Sequence, residues 1–195
     1  QSFDGRYFHD NALRDKQGHL ALTSRLGDTT QYYAFYFGIA EKSDYQELVD
    51  DLLKNYGPLA FSDRKGALYP SNVLPGYFLR LSLLSRWGEA QRCLDEAVGY
   101  FYPMAKLTGT LWELASPSAS LDHAFTSYLV VFLLSSLGGL RRISPLKKTI
   151  VCSHRHLNLD FDFALVLKDG PLRFSLRSGT LLIMLPAGYS LSYMD

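Results

Sequence analysis

Apolar residues recur at helical spacing as far as Pro145 and alternate with polar ones beyond it. A repeat near 3.6 marks an amphipathic helix, and a repeat of two marks a half-buried strand. Residues 1–27 follow neither pattern and read as irregular, anchored by Phe3, Tyr7 and Phe8. Thr29 or Thr30 is placed to cap a first helix running from Gln31 to about Lys42. Ser43 or Asp44 opens a second, with Leu48, Leu52 and Leu53 on one face and Gly57-Pro58 at its end. After a connection over 59–70, Ser71 or Asn72 caps a third helix that carries Tyr77, Leu81 and Leu84 and stops at Gly88, with Pro75 in its first turn. A fourth runs from about Glu89 to Lys106, its inward stripe being Cys93, Leu94, Ala97, Phe101 and Met104. A fifth spans Leu121 to Leu137, between a Ser120 cap and Gly138-Gly139.

The rest reads as strands. Leu157, Leu159, Phe161, Phe163, Leu165 and Leu167 alternate, with Asn158, Asp160 and Asp162 on the other face. Lys168-Asp169-Gly170-Pro171 and Arg177-Ser178-Gly179 are turns on either side of Leu172, Phe174 and Leu176. Thr180 to Leu185, Tyr189 to Tyr193 and Ile150 to Cys152 supply further strands of an antiparallel sheet. Helices paired by short loops suggest stacked helical hairpins.

Length and charge narrow the function classes. The 195 residues allow one domain, or one with a small second module. With 47% hydrophobic and 20% charged residues the chain is not intrinsically disordered. A formal charge of +1 offers no polybasic surface for nucleic acid or anionic lipid. Cys93 and Cys152 are too few for a disulfide scaffold or a cysteine-only zinc site; they leave room for one disulfide, and two buried free thiols are the simpler reading. The uncharged run from Ala124 to Leu140 is shorter than the roughly 20 residues of a spanning helix and is broken by Thr126, Ser127, Ser135 and Ser136, so it reads as a buried helix and no membrane partner is expected. The chain begins at Gln1 without a signal-peptide pattern, as in a processed product or a piece of a longer chain.

No Walker loop, Rossmann glycine pattern, zinc-protease helix or nucleophile elbow is present. His154 and His156 form a His-x-His pair which, on a strand, puts both rings on one face; surface imidazoles are the simpler reading, and no metal or cofactor is expected. More informative is Thr108-Gly109-Thr110-Leu111-Trp112-Glu113, followed by Ser120-Leu121-Asp122-His123. A carboxylate, an indole and an imidazole meet near one loop cluster. Sugar sites use such parts: carboxylates move protons, aromatic faces stack on the ring and imidazoles bond hydroxyls. A purely structural reading also fits, with Trp112 a core plug, Glu113 a loop charge and His123 a capping residue.

Phe8-His9-Asp10-Asn11-Ala12-Leu13-Arg14, Gln31-Tyr32-Tyr33-Ala34-Phe35-Tyr36-Phe37-Gly38, Pro70-Ser71-Asn72, Gly76-Tyr77-Phe78-Leu79-Arg80 and the two loop segments occur in that order. Together they resemble the C-terminal half of the catalytic domain of an inverting α-L-rhamnosidase, glycoside hydrolase family 78, over roughly residues 3–140. The chain departs from that pattern at Asp28-Thr29-Thr30, where Glu-Thr-Cys is expected, and at Asp122, where Asn is usual.

The resemblance implies a mainly α chain with a C-terminal β part: residues 1–143 as half of an (α/α)6 toroid of helical hairpins, and 144–195 as a small antiparallel β-domain. It makes Glu113 the general base, has Trp112 line the rhamnose pocket and His123 bond the sugar or the attacking water, and sets Asp10 and Asp28 near the pocket. The substrate is then a rhamnose-containing glycoside or polysaccharide, and the setting secreted or periplasmic. The family's general acid belongs to an earlier acidic motif with no counterpart here, so the resemblance implies a missing N-terminal half and little activity for these residues alone. Exposed half-toroid faces imply self-association. The alternatives are a non-catalytic carbohydrate-binding or scaffold protein derived from a helical-toroid glycosidase, and another helical-toroid enzyme such as a lyase.

Overall fold

The computed structural model describes residues 2–58 and 66–194, so part of the connection expected over 59–70 lies outside the described residues. The chain forms two compact units, Gln1–Leu83 with Glu96–Ser127, and Leu84–Asp95 with Tyr128–Asp195. Among the described residues, five α-helices and three sheets make it a mixed α/β protein.

The first unit opens on a short hairpin, β1 (Ala12–Arg14) against β2 (Leu20–Leu22), within the stretch expected to be irregular. Both strands are three residues long and exposed throughout, so no alternation announces them. Helix α1 (Asp28–Tyr36) starts before the expected Thr29 or Thr30 cap and ends well short of Lys42. Gly38, at φ +71°, turns the chain back, and the N–H groups of Ile39 and Ala40 both bond to the Ala34 carbonyl. Helix α2 (Gln46–Asn55) begins after Ser43 and Asp44, whose side chains bond each other instead.

Helix α3 (Leu74–Arg86) carries Pro75 in its first turn, where a missing N–H leaves no bond unmade. Ser71 does not cap it; its hydroxyl goes to Asp28. A Cβ at Gly76 would lie 2.2 Å from that of Ser71, so only glycine lets α3 approach this closely. Helix α4 (Ala90–Thr108) buries the expected stripe Cys93, Leu94, Ala97, Phe101 and Met104. α3 and α4 each contribute to both units.

The expected fifth helix is shorter than Leu121–Leu137. Ala124–Tyr128 is a 3-10 turn, and α5 occupies only Leu129–Leu137. His123 sets this boundary: its N–H bonds to the Leu111 carbonyl, while its carbonyl accepts the Thr126 N–H. Among the described residues no helix is long and apolar enough to cross a membrane.

The second unit holds two three-stranded sheets. β3 (Leu140–Ser144), β4 (Thr149–Ser153) and β8 (Ser190–Met194) form one; β5 (Phe161–Leu167), β6 (Gly170–Arg177) and β7 (Thr180–Met184) form the other. The second is an antiparallel meander, but β8 runs parallel to β4, so an all-antiparallel β part is corrected to a mixed one. Alternation reports which face of a strand is buried, not which distant strand lies beside it. Ile150, Cys152, Leu172, Phe174 and Tyr189 form the core of both sheets.

Leu157 and Leu159 alternate in phase with β5 but stand outside it. They pack with Ala90, Leu94 and Leu176 in a separate cluster. Their backbone neighbours bond side chains rather than a ladder: the Asn158 N–H donates to Gln91, and the Asp160 carboxylate accepts the Ser178 N–H. The His-x-His pair is likewise off the sheet, since β4 ends at Ser153. His154 stacks on Tyr193 at 4.6 Å and His156 is exposed. Both cysteines are buried free thiols, and burial pushes that of Cys152 up to about 11.

Candidate functional site

All five residues singled out from the sequence lie in the first unit. Asp10 stands at the start of α1, where Gly27 is the cap residue and supplies no side chain. The Asp10 carboxylate takes over that role, accepting the Gly27 N–H at 2.8 Å and the Thr30 hydroxyl at 2.6 Å. An anion there also meets the positive end of the helix. Gln31 fastens the same segment from the other side: its amide oxygen accepts the Phe8 N–H, and its nitrogen donates to the carbonyls of Phe8 and Gly27.

Asp28, the first residue of α1, turns inward and is only 3% exposed. Its carboxylate accepts the Ser71 hydroxyl at 2.5 Å and, at 3.3 Å, those of Thr29 and Tyr32. Burial outweighs these donors and raises the carboxyl above its ordinary range. A raised carboxyl binds its proton more tightly folded than unfolded. Its contribution to stability is therefore present below the unfolded pKa and is lost as pH rises through the folded one. The melting temperature of wild type minus that of Asp28→Asn is expected to fall as pH increases through that window. A flat or rising difference would show that Asp28 is not held in this way.

Behind Asp28 a buried polar chain continues. Arg80 donates through Nη1 to the Tyr32 hydroxyl and the Leu52 carbonyl, both at 2.9 Å. Its Nε and Nη2 grip the Glu96 carboxylate at 2.5 and 2.7 Å. Ser71, Tyr32, Arg80 and Glu96 were not among the expected site residues. The signal was there: Arg80 interrupts the apolar run of α3, and Glu96 sits inside the apolar stripe of α4.

Trp112, Glu113 and His123 lie on the loop that leaves α4. The indole is 4% exposed, and its N–H donates to the Thr108 hydroxyl at 2.8 Å, tying the ring to the last turn of the helix. Glu113 is held by its backbone. Its N–H bonds to the Ser120 carbonyl at 2.9 Å, and its carbonyl accepts the Leu74 N–H at 3.2 Å. Two flanking bonds, Ala115 N–H to Asn72 carbonyl and His123 N–H to Leu111 carbonyl, complete the frame. The Glu113 side chain is half-buried, and among the described residues no hydrogen bond or ion pair engages its carboxylate.

His123 caps the 3-10 turn. Nδ1 accepts the Phe125 N–H at 3.3 Å, so the neutral ring carries its proton on Nε2.

These bonds stitch residues 111–123 to Asn72–Leu74, next to the Ser71 that holds Asp28. The starts of α1 and α3 and the end of α4 thus meet in one cluster. Among the described residues no hydrogen bond joins any two of Asp10, Asp28, Trp112, Glu113 and His123, and no group of three or more metal-ligating side chains occurs.

The fold is similar to that of a GH78 family rhamnosidase from Bacillus sp. GL1. The TM-score is 0.73 at 17% identity, and the match takes in 99% of this chain and 21% of the rhamnosidase chain. The relationship is distant and structural, and gives this chain a glycosidase-like fold over about a fifth of that protein's length. No protein-family model matches the sequence, and no curated protein does.

Proposed function

We propose that this chain is part of an inverting α-L-rhamnosidase and carries the general-base half of its site. The observation that supports this most is Glu113, a half-buried carboxylate without a partner among the described residues, on a backbone held by bonds to Leu74 and Ser120. A positioned acceptor of this kind suits proton abstraction. Glu113 takes a proton from water as the water oxygen attacks the anomeric carbon from the face opposite the leaving group. Inverting hydrolysis also needs a carboxylic acid about 6.5–9.5 Å away to protonate the leaving oxygen. Asp28 is not that acid, because its carboxylate is sealed among Ser71, Thr29 and Tyr32. The acid belongs to the rest of the parent chain.

His123 presents its Nε2–H to a sugar hydroxyl or the attacking water, and Trp112 lines the pocket from beneath. Asp10 and Asp28 position the start of α1. The helices are read as part of an (α/α)6 toroid; Tyr33 and Phe37 on and just after α1, and Val98, Tyr102 and Leu107 on α4, are exposed where further hairpins or a second copy would cover them.

A second reading, a non-catalytic carbohydrate-binding protein derived from such an enzyme, is favoured by the burial of Trp112 and the internal bonds of Asp10 and Asp28. A panel of nitrophenyl glycosides offered to a chain that contains this segment and the remainder of the catalytic domain separates the two. Release from the α-L-rhamnoside and not from glucosides or galactosides is expected. Sugar binding with no release from any member supports the second reading and overturns the first.

A further inference from the structure

The second unit contains a cavity of about 500 Å³ lined by Arg86, Trp87, Arg141, Ser153, His154 and Arg155 among others, with no carboxylate in its wall among the described residues. Glu89, close by in sequence, is not among the lining residues. Arg141 and Arg155 thus line one space in which, among the described residues, no acid takes part.

Among the described residues, Arg141 and Arg155 are held by neutral groups. Arg141 donates through Nε to the Ser153 hydroxyl at 2.9 Å, and through Nη1 and Nη2 to the hydroxyl and carbonyl of Ser85 at 3.1 and 2.9 Å. Burial pulls its guanidinium below the usual range, and the opposing groups are the thiols of Cys93 and Cys152. Arg155 donates through Nε to the Ser135 carbonyl at 3.1 Å and through Nη1 to the His154 carbonyl at 2.9 Å. Its Nη2 is shielded from solvent and has no partner among the described residues. A buried charged donor left unpaired is costly, and a guanidinium fork matches a carboxylate or phosphate in geometry as well as charge. The half-buried Trp87 adds an aromatic surface to the same wall. The volume suits a small molecule.

We propose that this cavity binds a small oxyanion, a carboxylate or phosphate group, carried on a ring that packs against Trp87. The oxyanion is held by Arg141 and Arg155, and His154, stacked on Tyr193, closes the rim. The site shares no residue with the Glu113 loop, so it stands or falls apart from the glycosidase reading.

Calorimetric titration of the chain with phenyl phosphate, benzoate and the neutral benzyl alcohol tests it. One of the two anions is expected to bind about tenfold tighter than benzyl alcohol or better, and Arg155→Gln to weaken that binding about tenfold with the melting temperature held. Preference for phenyl phosphate assigns a phosphate ester, and preference for benzoate a carboxylate; either supports the site. Anions that bind no tighter than benzyl alcohol, or an Arg155→Gln variant with unchanged affinity, overturn it. Should Arg155→Gln not fold, the wild-type comparison alone decides, and Arg155→Lys, which keeps the charge but not the fork, is expected to fall between the two.

Discussion

Glu113→Gln in a chain containing the whole catalytic domain is expected to lower kcat on an α-L-rhamnoside by about 10³-fold while KM changes little. The amide keeps the shape of the carboxylate and can still contact a bound sugar or water, but it cannot take a proton. General-base catalysis contributes roughly 10²–10⁴-fold, which sets the size of the loss. A base that acts only as water attacks affects the transition state and not the ground state, so kcat and kcat/KM fall together. The backbone bonds that hold the residue, to Leu74 and Ser120, do not involve the side chain, so the loop is expected to keep its place. A variant with full turnover would remove Glu113 from the mechanism. One with raised KM and unchanged kcat would make it a binding residue.

Arg80→Met is expected to destabilise the first unit by about 3–5 kcal/mol, the range for breaking a buried ion pair by removing one partner. Arg80 is 2% and Glu96 8% exposed, so the carboxylate left behind stays buried without the guanidinium that grips it. The Tyr32 hydroxyl and the Leu52 carbonyl lose their donor in the same step. Because Tyr32 donates in turn to Asp28, the damage reaches the start of α1. Pairing Arg80→Met with Glu96→Leu removes the stranded charge and is expected to recover much of the loss. Urea unfolding measures both. A loss below about 1 kcal/mol for Arg80→Met, the scale of a surface pair, would show that the pair is solvated and not a buried tie.

The sequence was most legible where one local signal decides the outcome. The α4 stripe from Cys93 to Met104, Pro75 in the first turn of α3 and the alternation of Phe161 to Leu167 all report nearest-neighbour geometry, and each appears in the structure. It was least legible where a partner far along the chain takes over a local role. Thr29 and Thr30 are good caps by composition, yet Asp10 fills that position from 17 residues before Gly27, and Ser71 gives its hydroxyl to Asp28 rather than to α3. The start of the expected fifth helix is a 3-10 turn, opened by the Thr126 N–H reaching the His123 carbonyl three residues back. The parallel pairing of β8 with β4 and the exposed β1–β2 hairpin leave no periodic trace. For the site, the loop carrying Trp112 and Glu113 was readable as a string of residues. The polar chain of Asp28, Tyr32, Arg80 and Glu96 joins three separate helices, and its only sign in the sequence was charge on otherwise apolar helix faces.

The most direct test of the central claim is the anomer first released from an α-L-rhamnoside by a chain containing this segment and the remainder of the catalytic domain, followed by proton NMR before mutarotation. A general base that activates water opposite the leaving group predicts β-L-rhamnose first, the α-anomer rising only later as the free sugar equilibrates. α-L-Rhamnose as the first product would mean a covalent intermediate and a nucleophilic carboxylate, and would contradict the role assigned to Glu113.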